Sequence, residues 1–147
     1  MLLVINSHHH SIGSVSEMEN EQDYNLTFEM RDGYLYAHLA SSSMSLELAK
    51  RYIKEISDKR IETGSHCVII DRHCPNTLSN AMSYLAISEL CELAPTGFRM
   101  GIVDADEENR RHLNFGLRSL ERDDIHVQIF EDVTGAEAWL ATEKVCE

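Results

Sequence analysis

Hydrophobic positions change their period several times along the chain, and each change marks the boundary of an element. Tyr24, Leu26, Phe28 and Met30 alternate with polar neighbours, the period of two expected of a strand with one buried face. Arg31-Asp32-Gly33 carries an Asp-Gly turn signal and Tyr34 to Ala40 returns as a second strand, so the chain opens with an antiparallel hairpin. The period then lengthens. Leu48, Ala49, Tyr52, Ile53 and Ile56 recur at helical steps and predict an amphipathic helix from Leu46 to Arg60, with Lys50, Lys54, Glu55 and Lys59 on its wet side and Gly64 closing it.

Cys67-Val68-Ile69-Ile70 is a continuous apolar run rich in β-branched residues, the pattern of a strand covered on both faces, and Asp71 ends it. Pro75 and Asn76 force a turn, and the Thr77 hydroxyl is placed to cap a helix running from Leu78 to Leu93 on Ala81, Met82, Leu85, Ala86 and Leu90. Pro95 and Gly97 stop that helix, and Arg99 to Asp104 reads as a further buried strand. Asp104-x-x-Glu107 has capping-box form, with Asp106 as the competing cap, ahead of a helix on Leu113, Leu117 and Leu120. Ile125, Val127 and Ile129 make a last strand, and Thr134-x-x-Glu137 introduces a final helix with Ala136, Trp139 and Leu140. The order ββαβαβαβα implies an α/β fold, a single-domain βα sandwich. Right-handed crossovers build a mostly parallel sheet with one antiparallel strand at its edge.

Residues 1–22 show no hydrophobic period and read as a flexible leader, leaving 23–147 as the domain; Met18 is an alternative start. His8-His9-His10 reads as part of that solvated leader, with no fixed metal geometry. Neither a secretory signal pattern nor a run of the ~20 apolar residues needed to span a bilayer is present, which points to a cytoplasmic protein without membrane insertion. The net charge of −12 repels phosphate backbones and argues against a nucleic-acid partner. Cys67, Cys74, Cys91 and Cys146 lack a C-x-x-C spacing and are expected to be reduced.

Ile69-Ile70-Asp71-Arg72, Met100-Gly101-Ile102-Val103-Asp104 and above all Phe130-Glu131-Asp132 followed by Ala138-Trp139-Leu140 resemble the SpoIIAA-like, or STAS (sulfate transporter and anti-sigma-factor antagonist), domains. The similarity runs over residues 24–143. It implies a small bacterial-type regulatory module that binds another protein, in many members through a phosphorylatable serine at the start of the helix after the central strand. The aspartate-serine-serine-glycine motif of those members is absent here, and Thr77 and Ser79 are the hydroxyls nearest that position. A phosphate there would meet a favourable helix dipole.

Three enzymatic or metal readings compete with this one. Cys74, beside His73 near a helix start, is a candidate nucleophile for a thiol-dependent enzyme, although no oxyanion loop or orienting third residue accompanies it. Asp71 and Asp104 end two strands and could share a divalent ion, but turn and cap roles explain them as well. His66, Cys67, His73 and Cys74 make a poor zinc set because His66 and Cys67 point to opposite faces of one strand. Trp139 is expected to be a core anchor, and Tyr34 and Tyr36 to share one strand face on an interaction surface.

The expectation is therefore a protein without enzymatic activity, metal or cofactor, homodimeric or not, that binds a partner through Asp71, His73, Thr77, Ser79, Asp104 and Asp106. A SEC14-like domain carrying a small apolar ligand or lipid is the first alternative, the Cys74 enzyme the second.

Overall fold

Ten elements are present among the described residues, and all but the first follow the hydrophobic period and capping chemistry of the sequence. They are β1 (Leu3–His8), β2 (Asn25–Arg31), β3 (Tyr34–Ala40), α1 (Leu46–Thr63), β4 (Cys67–His73), α2 (Asn80–Leu93), β5 (Arg99–Asp104), α3 (Glu107–Arg118), β6 (His126–Phe130) and α4 (Val133–Leu140). The computed structural model describes residues 24–75, 78–118 and 124–142, together with the main chain of 3–8.

The strands pair in sequence order, β1-β2-β3-β4-β5-β6. β3 through β6 are parallel, whereas β2 runs against both β1 and β3. The α/β architecture and mostly parallel sheet agree with expectation, but two details differ. Residues 3–8, assigned to a structureless leader, add a strand along β2, so the antiparallel strand is second from the edge. The reason is that an edge strand needs main-chain pairing with a neighbour and no particular side-chain period, so periodicity could not reveal it. The remainder of the leader, residues 9–23, lies outside the described residues.

Because each parallel strand lies next to its predecessor, every crossover steps the same way, and right-handed crossovers then place α1, α2 and α3 on one face. That face holds the larger core, with Leu26, Phe28, Leu35, Leu39, Val68 and Met100 all almost fully buried. α4 packs on the opposite face against β4, β5 and β6 over a smaller core of Tyr34, Cys67, Ile69, Val103, Ala136 and Leu140. Trp139 packs against that core as a half-buried side chain, its ring 5.6 Å from Phe130. Tyr34 is not on an exposed surface: it is buried, and its hydroxyl donates to Glu137 of α4.

Caps sharpen the boundaries. Ser45 Oγ accepts from Leu48 N at 3.0 Å to start α1, and Gly64, at φ 73, ends it three residues beyond the expected Arg60. Ser79, rather than Thr77, caps α2, accepting from Met82 N at 3.4 Å; Asn76 and Thr77 lie outside the described residues. Asp106 wins over Asp104 at α3, accepting from Asn109 N at 2.9 Å. At α4 the cap is Asp132, whose Oδ1 takes Gly135 N at 2.8 Å, and not Thr134. Glu137, the other half of that expected box, is used by Tyr34 instead. Cys74 and Cys91 are buried thiols outside any disulfide, but Cys67 is disulfide-bonded, to a partner outside the described residues, so the expectation of reduced thiols fails there.

Gly116 sits where α3 crosses α2 most closely: a β-carbon there would stand 2.9 Å from the main chain of Ser83 and Tyr84. Gly116→Ala, which in an open helix would gain about 1 kcal/mol, is therefore expected to lose about 1–3 kcal/mol in urea unfolding, because backbone cannot step aside as a flexible side chain can. The Tyr34 hydroxyl generates a second prediction. Burial first, then its bond to Glu137, raises its pKa to about 12, so the folded state binds that proton more tightly than the unfolded chain. Its contribution to stability is complete below pH ~10 and lost as pH rises toward 12. Tyr34→Phe should flatten the loss of stability across that window when urea midpoints are compared.

Candidate functional site

The central strand does not stop at Asp71; β4 runs on through Arg72 and His73. Alternation sends neighbouring side chains to opposite faces, so these three polar residues serve two separate clusters at the carboxyl end of the sheet, where ligands of open α/β sheets are met.

The cluster on the helix side is closed. Arg72 donates to Asp104 across the β4–β5 pair, with side chains only 2% and 4% exposed. Asn109 Nδ2 donates to both Asp104 oxygens at 3.3 and 3.2 Å, and Asp106 N adds a bond of 3.0 Å to Oδ1. Burial alone would lower the Arg72 pKa, but Tyr52, Cys74 and Asp104 around it push it upward, so the guanidinium stays charged. Tyr52 is held protonated by its own burial. Cys74 lies against the same group, and burial raises its thiol despite the opposing pull of Arg72. A protonated, enclosed thiol is the reverse of what a nucleophile requires.

The cluster on the other face is open. Asp71 lies opposite His38 in the β3–β4 register, and His73 follows two residues later on the same face. His73 Nε2 is 3.0 Å from Asp71 Oδ1, Tyr36 Oη donates to Asp71 Oδ2 at 2.5 Å, and the His38 and His73 rings stack 4.6 Å apart. Arg31 lies 3.7 Å over the Tyr36 ring, and its other amino group pairs with Glu29 at 2.9 Å. Burial, then the Asp71 bond, raises the Tyr36 pKa, keeping its hydroxyl a donor.

The expected site residues thus divide. Asp71 and His73 come together on the open face, Asp104 is locked in the buried pair, and Ser79 and Asp106 are caps on the rim. Asp71 and Asp104 stand on opposite faces and cannot share an ion, because Asp104 pairs in register with Arg72. His38 is not among the expected site residues, and Tyr36 is expected on an interaction surface with Tyr34 but not beside Asp71. Their signal was the period of β3 itself, which puts Tyr34, Tyr36 and His38 on one face, but it needed the β3–β4 register to bring them to Asp71.

The cavity between the helix layer and the sheet, lined by Met44, Tyr52, Ile70, Leu78, Ile87 and Leu113, measures about 30 Å³, room for one water, whereas ligand pockets span about 300–1,000 Å³. A shallower groove of about 390 Å³ follows the outer edge of β6 between Leu117, Ile125, Val127 and Trp139. No helix among the described residues is long and apolar enough to cross a membrane. No family model matches the chain, and no curated protein matches it.

Removing one member of a buried pair leaves the other charged and uncompensated. Asp104→Asn is therefore expected to cost about 3–5 kcal/mol in urea unfolding. The double variant Arg72→Met/Asp104→Leu should be less destabilised than Asp104→Asn, because it buries no orphaned charge; equal losses would show that packing dominates.

Proposed function

We propose that this chain is a non-enzymatic protein-interaction module, of the kind its resemblance to SpoIIAA-like STAS domains implies, and that it binds its partner along α2 from Ser79 onward. The observation that carries this reading is a set of large apolar side chains left in solvent: Met82 at 44% and Leu85 at 47%, one turn apart on α2, with Tyr84 at 38% on the same helix and Phe115 at 41% on the adjacent α3. Apolar side chains clustered on two neighbouring helices, next to a rim of polar caps, mark an interaction surface more often than scattered exposure does.

Its chemistry selects a partner. α2 contains Glu89 and Glu92 and no lysine or arginine, whereas α3 has Glu107 and Glu108 in its first turn and Arg110, Arg111 and Arg118 further on. Exposed apolar side chains on a helix whose charges are all acidic fit a partner surface with an apolar groove and basic groups facing α2. Ser79 stands exposed at the N-terminus of the same helix. A phosphate on its hydroxyl would be favoured by the helix dipole and would add negative charge at the head of α2, which makes phosphorylation a means of changing partner choice. Asp71 and His73 do not belong to this surface, since they face the opposite side of the sheet.

The test is site-specific photo-cross-linking in an extract of the source cells. A cross-linker at position 85 is expected to capture one discrete protein, and adding Met82→Glu should abolish the adduct while the melting temperature holds. Affinity of the captured partner for Met82→Glu should then fall at least about tenfold, the scale of one buried side chain. Equal capture from position 54, on the wet side of α1, or an adduct indifferent to Met82→Glu would refute the assignment.

A further inference from the structure

The open-face cluster at the end of β3 and β4 has no part in that interaction surface, yet it gathers the donors of a metal site. His38, Asp71 and His73 each offer one ligand atom, and these atoms lie within 4.8 Å of one another. We propose that His38, Asp71 and His73 bind a zinc-class divalent transition-metal ion.

The geometry requires little movement. An ion bound at about 2.0–2.1 Å from each donor holds tetrahedral ligand atoms roughly 3.3 Å apart. His73 Nε2 and Asp71 Oδ1 already stand 3.0 Å apart and the His38 donor lies within 4.8 Å of both, so closing the site requires the His38 imidazole to move nearer and turn out of its stack on His73. Paired parallel strands hold two of the ligands in direct register, His38 against Asp71. A metal would thus tie the exposed ends of two central strands.

Outer contacts prepare the carboxylate. Tyr36 donates to Asp71 Oδ2 and leaves Oδ1 turned to His73. A hydrogen bond to the non-ligating oxygen is the usual support of a metal-binding carboxylate. Arg31 over the Tyr36 ring holds that phenol in turn. An ordinary surface ion pair would explain the contact between His73 and Asp71, but not a second imidazole stacked on the first with a ring nitrogen within 4.8 Å of both donors.

The donor set decides the ion. Two imidazoles and one carboxylate suit zinc, and also cobalt or nickel, whereas calcium and magnesium want all-oxygen sites. The His73 side chain is 54% exposed, so a three-ligand ion here keeps an outward position for water or for a donor from another molecule. Three protein ligands with an open position distinguish it from a closed structural zinc site.

The test must separate this site from the triple histidine His8-His9-His10, which can also chelate. Zinc titration by calorimetry is run on the full chain, on His73→Ala, on Tyr36→Phe and on a variant with His8, His9 and His10 all changed to Ala. The expected result is one equivalent of zinc bound to the full chain and retained by the triple variant. His73→Ala, a change at an exposed position, should lower affinity at least about tenfold, and Tyr36→Phe should lower it about 10–100-fold, the scale of lost outer-sphere support. Cobalt substitution should give an absorption spectrum that His73→Ala alters. Absence of zinc binding, loss of binding in the triple variant, or binding unchanged by His73→Ala would overturn the proposal.

Discussion

A buried ion pair holds the carboxyl end of this sheet. Taking a guanidinium and a carboxylate out of water costs several kcal/mol per ion, and the cost is recovered only when the remaining polar atoms are satisfied. Around Asp104 that satisfaction comes from Arg72 on the neighbouring strand, Asn109 on α3 and the main chain of Asp106. Arg110 reaches back to the Asp104 carbonyl at 3.0 Å. One carboxylate thus fixes the ends of two strands and the start of the helix that follows. The position of Asp71 and His73 depends on it too, since they flank Arg72 and can face the open side only while Arg72 faces the buried one.

Much of this was legible from residues. Element types after Tyr24 follow from period, and the turn at Asp32-Gly33 and the cap at Gly64 follow from backbone conformations glycine tolerates, at φ 89 and 73. What escaped has physical causes. Asp71-Arg72-His73 reads as the end of a strand because charged residues are rare inside sheets, but Asp71 is met by Tyr36 and Arg72 by Asp104, each across strands far apart in sequence. The competition among Asp104, Asp106, Thr134 and Asp132 as caps is settled by tertiary demands: Asp104 is claimed by Arg72, and Glu137 by Tyr34. His38 gave no local sign because its meaning lies in the register of two strands whose sequences are separated by all of α1.

The two faces of the sheet carry different chemistry. Three helices cover one face, and their own outer surface is apolar at Met82 and Leu85. The other is covered by α4 over β4 to β6, and among the described residues it presents Thr27, Glu29, Arg31, Tyr36 and His38 along β2 and β3. The exposed apolar side chains and the histidine–aspartate cluster therefore share no atoms and lie on opposite sides of the sheet.

The sequential order of the strands has a further meaning for how the chain comes to be folded. Each new strand pairs with the one made just before it, and no strand must be threaded between two that are already joined. Contacts of that kind close short loops first and keep the entropy of closure low. A polypeptide leaving the ribosome can therefore lay down its sheet in the order of synthesis, one strand and helix at a time, and only the last short helix has to find the far side.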